Sequence, residues 1–110
     1  MVNRKQIAID FAKSLNHPEI EKIILFGSVA REDDVEESDI DILIITKKSE
    51  DEFKIKDDVY TKVMDIVYKH MEYISAQIIP FDHYNKYKDF SFYSTVNREG
   101  IVIGWSSYNI

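Results

Sequence analysis

The sequence predicts an α+β (α/β) domain, a small mixed β-sheet with helices packed on it, from three observations. Two short segments, the apolar run at residues 23–26 and the alternating, Ile-rich stretch at 39–45, read as strands. Helical periodicity precedes the first and follows the second. Only three glycines and two prolines interrupt the chain, so each one marks a turn or an element boundary. No repeat, linker or low-complexity tract divides the 110 residues, which are read as one domain spanning 1–110.

Residues 3–15 place Ile7, Phe11 and Leu15 at helical spacing with Ala8 and Ala12 beside them, and Asn16-His17-Pro18 ends that helix. Ile23-Ile24-Leu25-Phe26 reads as a strand buried on both faces, stopped by Gly27. A short helical turn over residues 28–31 and an acidic loop over 32–38 follow. Residues 39–45 form a second strand whose alternation puts Asp39, Asp41 and Leu43 on one face and Ile40, Ile42 and Ile44 on the other. The longest helix covers about residues 50–71, with Phe53, Tyr60, Val63, Met64, Val67 and Met71 as its apolar stripe. Residues 73–79 make a third strand, stopped by Pro80, and Asp82 is the expected N-cap of a helix near His83. A last helix runs over about 91–99 with Gly100 as its C-cap, before a terminal strand or tail at 101–103.

Composition narrows the function classes. Apolar residues at 45% and charged residues at 31% are those of a folded globular chain. No apolar run approaches the ~20 residues that span a bilayer, and the first residues do not read as a signal peptide. The chain has no cysteine, which removes thiolate metal sites and fits a cytoplasmic protein. A net charge of -6 argues against binding an extended nucleic acid, yet leaves a single metal-bound nucleotide open. His17, His70 and His83 lack metal-ligand spacing and are read as solvated or capping residues. Tyr84, Tyr87, Phe90, Phe92 and Tyr93 form an aromatic patch that is either core or a surface for a partner chain, so an oligomer stays open.

The informative segment is Phe26-Gly27-Ser28, ten further residues, then Asp39-Ile40-Asp41-Ile42. Gly27 allows a sharp turn off a buried strand and a close approach of phosphate to the backbone. Ser28 adds a hydroxyl and begins a helical turn whose free amides face the same way. Asp39 and Asp41, two apart on a strand, project together from one face. Two like charges beside an apolar strand repel each other and are costly to desolvate, and a divalent cation offsets both effects. Mg²⁺ suits such a pair, because it takes one or two carboxylates plus substrate phosphates. The plainer alternative is two solvated acids at the open start of an edge strand. A Gly-Ser and an Asp-x-Asp at this separation arise by chance in about one chain of this length in a few hundred.

These residues resemble the signature of the DNA polymerase beta-like nucleotidyltransferases. Phe26-Gly27-Ser28-Val29-Ala30-Arg31 and Ser38-Asp39-Ile40-Asp41 are similar to the minimal nucleotidyltransferase (MNT) branch of that superfamily. The resemblance implies the polymerase beta-like fold and transfer of a nucleotidyl, foremost adenylyl, group from ATP or another nucleoside triphosphate to an acceptor hydroxyl. It also implies Asp39 and Asp41 as catalytic ligands of a two-metal Mg²⁺ site, with Gly27 and Ser28 holding the outer phosphates. Arg31, one turn later, pairs either with the triphosphate or with the acidic loop.

Active members of the family carry a third carboxylate on a later strand. The matching strand here, residues 73–79, has none, and Ser75 or Gln77 occupies that slot. Neither supplies a general base near neutral pH or an anionic ligand. A second function is therefore kept beside the first: a catalytically weak, nucleotide-binding antitoxin subunit. Its partner, by the same resemblance, is a small all-helical protein of the HEPN type.

Overall fold

The computed structural model describes residues 3–47 and 52–105. In chain order it contains α1 (Arg4–Ser14), β1 (Ile20–Phe26), α2 (Gly27–Arg31), β2 (Ile40–Thr46), α3 (Glu52–His70), β3 (Ile74–Pro80), α4 (Phe81–Lys86), α5 (Ser91–Glu99) and β4 (Ile101–Trp105). Asn3 starts α1 by accepting the Gln6 amide on its side chain at 3.0 Å. The strands form one mixed sheet in the order β3-β2-β1-β4. β1 runs antiparallel to both neighbours, whereas β2 and β3 are parallel, a connection that needs a crossover and gets it from α3.

Alternation along the central strands sorts the core into two layers. Ile40, Ile42 and Ile44 join Ile23 and Leu25 against Phe11 of α1 and Ile55, Val59 and Val63 of α3. Leu43, Ile45 and Ile24 face the other way, against Tyr84 of α4 and Tyr93 and Val96 of α5. The sheet is thus covered on both sides. β2 lies inside it between β1 and β3, so Asp41 belongs to an interior strand and not to an edge.

Three predicted details are corrected. The stripe of α3 that meets the sheet is Ile55, Val59 and Val63, with Ile66 partly buried beside them. Of the predicted row only Val63 is buried; Phe53 is 77% exposed and Met71 90% exposed, and Tyr60 and Met64 are also open to solvent. The helix carries two apolar rows, about 120° apart at 100° per residue. Periodicity alone weighs the larger Phe, Tyr and Met side chains, but the sheet surface accepts the β-branched row. Predicted residues 50 and 51 of this helix lie outside the described residues.

The second correction is at α4, whose N-cap position is Pro80, with Asp82 inside the first turn. Proline fixes the extended entry at φ -64° and ψ 146°, and the acid there acts on the helix dipole instead of capping an amide. Third, the aromatic patch is divided: Tyr84 and Tyr93 are buried, while Phe90 and Phe92 are exposed. The predicted C-cap does hold, and Gly100 donates its amide to Val96 O at 2.7 Å. Its backbone is extended, so the glycine serves close packing: an added Cβ would overlap Val96 O and press on Ile24. Among the described residues, no helix is long and apolar enough to cross a membrane.

Candidate functional site

The turn from β1 into α2 and the start of β2 come together. Register pairs Phe26 with Asp41, which sets the Asp41 carboxylate against the turn. Gly27 sits at φ +75°, in the left-handed region that suits glycine. A Cβ added there would overlap Asp41 Oδ2 and stand 3.1 Å from its Cγ, so the missing side chain is the space the carboxylate occupies. α2 then closes at Glu32, itself at φ 63°, whose amide bonds Val29 O at 3.2 Å.

Asp39 and Asp41 are close enough to repel. Desolvation is the first cause that holds the Asp41 carboxyl above its ordinary value of 3.8, the charge of Asp39 is the second, and Arg31 draws it partly back. The folded chain binds this proton more tightly than the unfolded chain does. Stability from Asp41 is therefore lost as pH rises past 3.8 through the raised folded value, and it stays lost at neutral pH. Asp41→Asn is accordingly expected to raise the thermal midpoint of the metal-free protein at pH 7, an advantage that shrinks on acidification. Melting curves at pH 7 and at lower pH would check this.

Arg31 is paired with two carboxylates, one on the acidic loop and one on α5. Its Nε meets Asp33 Oδ2 and its Nη1 meets Glu99 Oε2, each at 3.1 Å. Its side chain is nonetheless part of the same hollow as Gly27, Ser28 and Asp41, a space of about 380 Å³. The opposite wall comes from α5 through Phe92, Thr95, Val96 and Glu99. Sequence reading missed that wall, since Arg31 and Glu99 are 68 residues apart and no local pattern links them.

The acidic loop between α2 and β2 is pinned from α1. Arg4 bonds Asp34 Oδ2 at 2.8 Å, Val35 O and Glu36 O at 2.6 Å each, and Glu72 Oε1 at 2.6 Å. One part-buried guanidinium thus fixes both the loop that delivers Asp39 and the residue before Tyr73, whose carbonyl accepts the Ile40 amide. Arg4→Ala is expected to cost about 1.5–3 kcal/mol, the range for hydrogen bonds to charged groups, by denaturant unfolding.

Glu72 is turned to Arg4, and Asp65 pairs with Lys69 on α3 at 3.1 Å. The neighbour of Asp41 on β3 is Ser75, and Gln77 stands beside Leu43. His17 bonds Asp58 and His83 bonds Tyr93. Among the described residues, no group of three or more His, Asp or Glu converges on a metal position. The donor set is two adjacent carboxylates beside a bare backbone turn. It fits a cation that fills its remaining positions with phosphate oxygens and water, as Mg²⁺ does.

The family described as "Polymerase beta, Nucleotidyltransferase" matches residues 9–103, which takes in the turn, the acid pair, β1 to β3 and the first part of β4. This chain belongs to that nucleotidyltransferase family. The nucleotidyltransferase chain is also 39% identical over 95 residues to a candidate protein adenylyltransferase of Methanocaldococcus jannaschii, covering 86% of this chain and 89% of that one. Two solved structures share its fold. One is a candidate nucleotidyltransferase from Sulfolobus solfataricus, at TM-score 0.53 and 18% identity, with 93% of this chain and 86% of that chain covered. The other is a toxin–antitoxin complex with AMP-PNP, at TM-score 0.56 and 17% identity, with 98% and 77% covered. The polymerase beta-like fold expected from the motif is therefore the fold of this chain.

Proposed function

We propose that this nucleotidyltransferase moves an adenylyl group from Mg-ATP to a hydroxyl on an acceptor protein. The observation that carries the reading is the packing of the Asp41 carboxylate into the space left by Gly27, with Asp39 beside it. Asp39 and Asp41 would hold the cation, and the backbone of the Gly27–Ser28 turn and the Ser28 hydroxyl would meet the outer phosphates, the space beside Gly27 being taken by Asp41. Arg31 exchanges its contacts with Asp33 and Glu99 for a phosphate oxygen. A bound divalent cation supplies offsetting positive charge at the α-phosphorus and the leaving pyrophosphate. The acceptor oxygen forms its bond to that phosphorus as the bond to the bridging oxygen of pyrophosphate breaks. Ser75, not a carboxylate, stands beside Asp41, so the acceptor's proton leaves to solvent or to a base on the acceptor protein. The adenylyl group and the protein acceptor are supported by the name of the methanogen relative. A chain without cysteine suits the cytoplasm.

Ser75 in that slot also favours a second reading, a nucleotide-binding antitoxin subunit that pairs with a small HEPN-like helical protein. The toxin–antitoxin complex that shares the fold supports it. Incubation of the purified chain with Mg²⁺, labelled ATP and the protein of a neighbouring helical reading frame separates the two. Label on the partner and released pyrophosphate are expected for the transferase. A stable complex that acquires no label would leave the binding subunit.

A further inference from the structure

We propose that Phe92 is the platform on which the nucleobase of the bound nucleotide rests, an inference that stands on the nucleotide-binding reading above. The hollow has two chemically different ends, and α5 runs between them. At one end Glu99 Oε2 meets Arg31 Nη1 at 3.1 Å. At the other the Phe92 ring meets Phe26 edge to face, with centroids 5.6 Å apart, and Phe26 is the register partner of Asp41. The two ends of the helix are seven residues apart, about 10 Å at 1.5 Å per residue. The wall therefore passes from the Arg31 cation, past the Gly27–Ser28 turn and Asp41, to an aromatic ring.

A triphosphate whose α-phosphorus sits at the acids and whose outer phosphates reach Ser28 and Arg31 sends its nucleoside the opposite way, toward Phe92. That ring is 42% exposed, although its T-shaped contacts with Phe26, at 5.6 Å, and with Tyr93, at 5.3 Å, hold it in place. A ring held in place by its neighbours yet part-exposed along the hollow is one a base can stack on, and every base offers a π-face. Purines overlap such a ring more fully than pyrimidines do. ATP and GTP are thus expected to bind alike, and both more tightly than UTP.

The test is calorimetric titration of the full chain, in Mg²⁺, with ATP, UTP and inorganic tripolyphosphate. Wild type is compared with Phe92→Ala, Phe92→Trp and Phe92→Leu, the last of which keeps apolar cover over Phe26 without a π-face. The alanine and leucine variants are expected to lose about 5- to 100-fold in ATP affinity, the span of base–aromatic stacking. Their affinity for tripolyphosphate should be unchanged, and Phe92→Trp should retain ATP. The inference is overturned if Phe92→Leu binds ATP as wild type does, or if ATP and tripolyphosphate weaken in parallel. If wild type binds neither ligand, the nucleotide reading itself fails.

Discussion

Asp41→Ala is expected to lower adenylyl transfer by about 10²- to 10³-fold or more, the scale seen when one preorganised electrostatic partner of a developing charge is removed. Three features make this side chain the more sensitive of the two acids. It lies on an interior strand, its carboxylate is packed against the turn at Gly27, and it is the one whose charge the fold tolerates poorly. Asp39 is exposed at the mouth of the strand and has room to adjust. Asp41→Asn keeps the shape and removes the charge, so it should lose activity to the same degree while melting no lower than wild type. A variant that turned over normally would remove the cation role. Initial rates with labelled ATP, measured alongside melting curves, report both quantities.

The second large effect is expected at Gly27. An alanine at φ +75° carries the left-handed backbone penalty of about 1–2 kcal/mol. Its methyl group would also overlap the Asp41 carboxylate, which can retreat only by shifting β2, and overpacking of this kind costs about 1–3 kcal/mol more. Gly27→Ala should therefore destabilise the fold by about 2–5 kcal/mol. It should also reduce nucleotide affinity in the fraction that remains folded, because the carboxylate can no longer lie against the turn. Denaturant unfolding and a binding titration at low temperature check the two effects separately. Unchanged affinity in the folded variant would show that the turn and the acid act independently.

Much of this site was legible because its parts are local. A glycine after four apolar residues reads as a turn off a buried strand, and period-two alternation puts Asp39 and Asp41 on one face. The limits of α5, Ser91–Glu99, were readable from its periodicity and Gly100. What could not be read depends on contacts between distant segments. The two apolar rows of α3 differ in which one meets a sheet, and that choice is made by Ile40, Ile42, Ile44 and Ile74. The aromatic and acidic wall from α5, the Arg31–Glu99 pair and the Arg4–Glu72 pair each join residues 60 or more positions apart. No periodicity encodes such pairs. The Arg31 contact with Asp33 on the acidic loop is local and readable, whereas its contact with Glu99, at the far end of the chain, is not.

The most direct measurement is the affinity of the wild-type chain and of Asp41→Asn for ATP, with Mg²⁺ present and with it chelated. Wild type should bind ATP strongly only in the presence of Mg²⁺, and Asp41→Asn should lose that dependence together with most of the affinity. Equal binding of ATP by wild type with and without the cation, or by both proteins in its presence, would contradict a site built around paired carboxylates and a glycine bend.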